Sequence, residues 1–125
     1  MPGLVLVVDD EPLVRWSLGE RLRQEGYEVR EAGTGQQARA QFADANGRRL
    51  VVLLDLRLPD ADGLALFDEL RRLHPGWKVI IFSAQATPEI AQAALSRGAL
   101  HVGGKPFDLD EVVSLVQRGF EALTP

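Results

Sequence analysis

The chain has 125 residues, 46% of them hydrophobic and 26% charged, the mix of one soluble globular domain long enough to bury a core. Its net charge of −4, with no run of five like charges, argues against a surface that grips nucleic acid or an anionic membrane. It has no cysteine, which excludes disulfides and thiolate metal sites, and no apolar stretch long enough to span a bilayer. The start, MPGLVLVVDDE, lacks the basic region and cleavage site of a signal peptide, so a cytoplasmic domain is the expectation.

Leu4 to Val8 is a run of five apolar residues that ends in Asp9 and Asp10. Unbroken runs of this kind suit strands covered on both faces. Pro12 then sets a first helical position, Val14, Leu18 and Leu22 repeat every four residues, and Gly26 ends the helix. Tyr27-Glu28-Val29-Arg30 alternates as an edge strand does. Thr34 and Gln37 fit a capping box for a helix reaching roughly Ala43, whose apolar face (Ala38, Ala40, Phe42) is weak enough to predict loose packing. Asn46-Gly47 turns the chain into Leu50–Leu54, a second unbroken run, which ends on Asp55.

Pro59, Asp60, Asp62 and Gly63 form the following turn, and Leu64, Phe67, Leu70 and Leu73 mark the next helix, which His74-Pro75-Gly76 stops. Lys78 to Ala84 reads as a strand carrying Ser83 at its end. Thr87-Pro88 starts an alanine-rich helix over Glu89 to Arg97, closed by Gly98, and Ala99 to Val102 is a short fifth strand. Asp108 and Glu111 cap a last helix with the stripe Leu109, Val112, Val113, Val116, Phe120 and Leu123. Five strands alternating with five helices predict an α/β fold: a (βα)5 unit with a five-stranded parallel sheet, order 2-1-3-4-5 as in flavodoxin, and helices on both faces.

In that order Asp9, Asp10 and Asp55 meet at the switch point between the first and third strands, with Ser83 and Lys105 ending the neighbouring strands. Three carboxylates in one cleft repel one another, and a hard cation such as Mg2+ resolves the conflict with oxygen ligands and a phosphate. A lysine and a hydroxyl opposite would meet the other phosphoryl oxygens. Asp55 then has the setting of a nucleophile toward phosphorus. Each residue also has a plainer reading. Asp9 and Asp10 suit an N-cap, Lys105 a solvated surface, Asp60 and Asp62 turn residues, and His74 and His101 surface groups. Trp16 and Trp77 read as packing or rim residues.

VLVVDDE, LLDLRLPDADG, VIIFSA and GAL followed by GKPFD occur in the order found in receiver domains of two-component response regulators, which the sequence resembles over essentially its whole length. Val14–Leu18, Asp55–Pro59 and His74-Pro75 are similar to receivers of NtrC-like transcriptional activators. The resemblance implies that Asp55 is the phosphoacceptor and that Asp10, Asp55 and the Arg57 carbonyl bind Mg2+ directly, with Asp9 holding it through water. It makes Ser83 the switch hydroxyl and Lys105 the phosphate-binding lysine before a cis Pro106, with Arg57 and Gln85 flanking the phosphoryl group. It implies a sensor histidine kinase as donor, and a homodimer or effector contact through the fourth helix, fifth strand and fifth helix. It implies an effector domain outside this chain, so that the chain is the N-terminal part of a longer protein. Direct nucleic-acid or membrane contact is not expected.

One departure stands out. The family's aromatic three residues before the lysine is Val102 here, followed by Gly103-Gly104, so transmission of the signal is expected to differ. A receiver-like interaction module that acts without phosphate is the alternative. A haloacid-dehalogenase phosphatase would need an acid where Arg57 stands, and a flavin module's phosphate would be repelled by Asp9-Asp10-Glu11.

Overall fold

The computed structural model describes residues 3–123. The elements run β1 (Leu4–Val8), α1 (Pro12–Gln24), β2 (Glu28–Ala32), α2 (Gly35–Asp44) and β3 (Leu50–Leu54) in the first half. They continue with α3 (Gly63–Leu73), β4 (Lys78–Phe82), α4 (Pro88–Ser96), β5 (His101–Gly103) and α5 (Leu109–Leu123). All strand pairs are parallel and the order is β2-β1-β3-β4-β5, so the chain has the flavodoxin-like architecture its alternation predicts.

The two unbroken runs become the sheet's centre. Every residue of β1 and β3 is buried, and they pair in register from Leu4 with Leu50 to Val8 with Leu54. Alternate side chains serve opposite faces. Leu4, Leu6, Val8, Leu50, Val52 and Leu54 join a cluster with Phe42, Leu66, Phe67 and Leu70. Val5, Val7, Val51 and Leu53 join another with Leu18, Leu22, Val112 and Val116. The equal register brings both strands to an end at the same edge, where Asp9 and Asp55 follow.

The helical stripes differ from the sequence pattern in instructive ways. α2 buries Ala38, Phe42 and Ala45 fully enough to be a packed helix, while Ala40 faces solvent, so its contact is narrow and close rather than loose. In α3 Leu66 takes the buried place and Leu73 is 56% exposed, because the helix contacts the sheet mainly through Leu66, Phe67 and Leu70. α5 adds Leu115 to the expected stripe. β2 and β5 lie one and two residues later than the alternation suggests: β2 runs on to Ala32, and β5 starts only at His101, after Ala99 has packed into the core. Gly26, Gly47 and Gly98 take φ of 94°, 85° and 107°, left-handed conformations open to glycine, as the turns at these points require.

Thr34 caps α2 by accepting the Gln37 N–H at 3.0 Å, and Gln37 reaches back to the N–H of Gly33 rather than of Thr34. Trp77 is buried, donates its indole N–H to the Arg48 carbonyl at 3.0 Å and stacks on His74 with ring centroids 3.8 Å apart. Trp77 is thus a packing residue, and His74 is its half-buried cover.

Candidate functional site

The site is built where β1, β3 and the loop after β5 converge. Asp9 and Asp55, each the residue after a central strand, are buried, and their backbone N–H groups continue the sheet by donating to Ala32 and Val8 carbonyls at 3.0 and 2.9 Å. Asp9 Oδ1 accepts the Glu11 N–H at 2.9 Å, and Asp55 Oδ1 accepts the Arg57 N–H at 3.1 Å. Each carboxylate is therefore oriented by its own chain two residues on, leaving Oδ2 to face the cleft.

Lys105 closes the group. Its ammonium donates to Asp9 Oδ2 at 2.7 Å, Asp55 Oδ2 at 2.8 Å and Glu11 Oε1 at 2.9 Å. Its side chain is 11% exposed and follows directly into the cis Pro106 bond. Burial pushes the Lys105 ammonium down, but the three carboxylates together hold it well above the usual lysine value. Burial also raises Asp9 above the usual carboxylate range, against the bonds from Lys105 and the Glu11 N–H.

Asp10 completes the acidic set. Carboxylate oxygens of Asp9, Asp10, Glu11 and Asp55 lie within 4.8 Å of one another. Hard oxygen donors at one cleft suit Mg2+ rather than a softer metal. Asp9, Asp10 and Asp55 fit the ion, which when bound would neutralise the cluster and the oxygens of a phosphoryl group, while the Glu11 carboxylate meets Lys105.

Ser83 stands at the end of β4, fully buried, with its N–H on the Gly103 carbonyl at 3.0 Å. Its hydroxyl accepts the Gln85 N–H at 3.1 Å and so orders the β4–α4 loop. The topology brings Ser83 to the same sheet edge as Asp55. Arg57 and Gln85 are both exposed, and the Arg57 backbone forms an isolated antiparallel β-bridge with that of Asp62 within the β3–α3 loop.

Two features were not read from the sequence. Glu11, treated there only as part of an acidic run, is a direct partner of Lys105. Asp60, read as a turn residue, accepts the N–H groups of Gly35 and Gln36 at 2.6 and 3.0 Å, tying the Asp55 loop to the first turn of α2. Asp62 does cap its own helix, through the Leu64 N–H. The plainer reading of Asp9 as an N-cap holds in part: Asp9 accepts the Glu11 N–H at the α1 start, while the N-cap residue is Glu11 and has no side-chain cap.

His101 and Val102 fall on opposite faces of β5, as strand alternation requires. Val102 packs against the cluster holding Ile90 and Ala94, and His101 lies by the Phe82 ring and 3.6 Å from Glu111. Gly103 has no room for a side chain: a Cβ there would sit 2.9 Å from Phe82 and 3.1 Å from His101. The glycine is thus explained by the rings beside it.

Residues 5–117 match the family model of the response regulator receiver domain. The chain is 36% identical over 121 residues to the DNA-binding transcriptional regulator NtrC of Azospirillum brasilense, covering 97% of this chain and 25% of that protein. The receiver domain of NtrX from Brucella abortus is 37% identical, with a TM-score of 0.84, covering 94% of this chain and 98% of that one. The beryllofluoride-activated NtrC4 receiver domain dimer is 30% identical with a TM-score of 0.88, covering 97% and 98% of the two chains. Strand order, the paired acids and the lysine thus sit in a fold of known kind, and the chain belongs to the receiver domains of response regulators. The relatives it matches include NtrC- and NtrX-type regulators, and the chain spans about a quarter of the length of the NtrC relatives.

Proposed function

We propose that the chain is a phosphoaccepting switch, taking a phosphoryl group from a histidine kinase onto Asp55 in a Mg2+-dependent reaction. The observation that carries this reading is the buried Asp55 carboxylate bonded to the Lys105 ammonium at 2.8 Å, beside Asp9. A carboxylate oxygen of Asp55 attacks phosphorus as the P–N bond of the phosphohistidine breaks, and the electron pair leaves with the imidazole nitrogen. Lys105 moves from Asp55 Oδ2 to a phosphoryl oxygen. Ser83, whose hydroxyl oxygen accepts from the Gln85 N–H, turns its own O–H to donate to another phosphoryl oxygen. Asp10, Asp55 and the Arg57 carbonyl would hold the ion, and Asp9 would hold its water. The charge that develops on the transferred group is met by groups that already line the cleft, which is most of what this transfer needs.

The same reading assigns dephosphorylation to water attack at the same phosphorus, with Arg57 and Gln85 at the mouth. It takes the output surface to be α4, β5 and α5, used for dimerisation or for contact with an effector domain that controls transcription, in the cytoplasm. The NtrC4 dimer supports the first of these and the NtrC relatives the second. Val102, half-buried against the core where the family has an aromatic, favours a second reading in which the surface works without phosphate. Incubation with Mg2+ and acetyl phosphate separates the two. A phosphoryl mass adduct that Asp55→Asn abolishes supports the switch. No adduct, and no spectral response to beryllofluoride, supports the phosphate-independent module.

A further inference from the structure

An ammonium has three protons, and Lys105 spends all three on carboxylates of unlike standing. Asp9 and Asp55 are buried, with side chains 4% exposed, while the Glu11 side chain is 57% exposed at the rim of the cleft. Two of these partners are engaged by a divalent cation in the reading above, Asp55 directly and Asp9 through the ion's water. A cation entering between them meets the Lys105 charge, and the ammonium must give up Asp9 and Asp55 at least in part. Glu11 is the partner left over. Its backbone is fixed by the Glu11 N–H on Asp9 Oδ1, and the Arg15 N–H at 3.0 Å on the Glu11 carbonyl begins α1. Its carboxylate therefore has a set reach, 2.9 Å from the lysine nitrogen.

We infer that Glu11 is a positioning residue that retains the Lys105 ammonium at the rim of the cleft when Mg2+ takes Asp9 and Asp55, and so holds it where an incoming phosphoryl oxygen arrives. This rests on the phosphoacceptor reading of Asp55. Glu11 acts through Lys105 and is not itself a ligand of the ion. Without it, displacing the lysine leaves a buried cation with no partner, so metal entry and phosphoryl transfer both become harder.

A double-mutant cycle tests this, with Mg2+ affinity measured by calorimetry and phosphorylation by mass after acetyl phosphate at saturating Mg2+. Glu11→Ala should weaken Mg2+ by about fivefold and slow phosphorylation by a similar factor, the size of coupling typical within one hydrogen-bonded network. In the Lys105→Met background the same substitution should change Mg2+ affinity by less than about twofold. Glu11→Gln, which keeps an oxygen for the lysine, should fall between native and Glu11→Ala. Glu11 is exposed, and circular dichroism checks that each variant is folded. Equal loss of Mg2+ affinity with and without Lys105 would make Glu11 a metal ligand and overturn the inference, as would native behaviour of Glu11→Ala. If the native chain forms no adduct, the Asp55 reading fails while the affinity cycle still decides the role of Glu11.

Discussion

Replacing Lys105 with methionine tests how the site is held without metal. The substitution keeps most of the stem and removes the charge shared by three carboxylates at 2.7, 2.8 and 2.9 Å. The exposed Glu11 pair contributes little, since solvent screens it. Asp9 and Asp55 are different, because both are buried and become neighbouring anions with no cation between them. Each keeps one backbone N–H, which limits the loss. Removing one partner from a buried ion pair costs about 3–5 kcal/mol, and the retained N–H bonds place this case near the lower end, about 3 kcal/mol. For a domain of this size that lowers Tm by roughly 12 °C. Urea denaturation of both proteins with EDTA present gives the difference directly. Saturating Mg2+ should then narrow the gap, because the ion supplies the missing positive charge and binds only the folded chain. A loss below about 1 kcal/mol without metal would refute the reasoning, since it would mean that water already screens the two aspartates as it does a surface pair.

Gly63→Ala should destabilise the domain by about 1–3 kcal/mol in urea melts, because its Cβ would lie 2.6 Å from the Leu56 carbonyl carbon in the loop that carries Asp55. Native stability in that variant would show that the loop yields freely. Asp60→Asn should lower stability at neutral pH and remove part of the acid sensitivity. The Gly35 and Gln36 N–H groups hold the Asp60 carboxyl below its usual value, so its contribution is present above the unfolded carboxylate range and is lost as pH falls through the lower folded value. Parallel stability-versus-pH curves for the two proteins would contradict this.

The sequence showed the sheet more fully than the helices, for a physical reason. β1 and β3 are covered on both faces, so their residues are apolar without exception and the acids that end them stand out. A helix meets the sheet along one stripe, and one apolar residue at its border can face either way. Leu73 turned outward and Leu66 inward for that reason, as did Leu13, which is 80% exposed beside the half-buried Val14. Of the site, Asp9, Asp55 and Lys105 were legible because topology alone brings strand ends together. Contacts made by side-chain reach were not. Nothing in the spacing says that Glu11 rather than Asp10 reaches Lys105, or that Asp60 crosses to the α2 terminus. The late start of β5 has a similar origin, since Ala99 packs into the core and Leu100 makes a single bond to the Val79 carbonyl at 2.8 Å before the paired strand begins at His101.

One side chain, Asp55, is the proposed receiver of the phosphoryl group. The direct measurement is to phosphorylate the native chain with acetyl phosphate and Mg2+, reduce the acyl phosphate with borohydride, and sequence the peptides by mass. The expected result is homoserine at position 55 with aspartate retained at positions 9, 10, 60 and 62. Reduction at any of those other aspartates, or unmodified Asp55 in a chain that carries the phosphoryl mass, would contradict it.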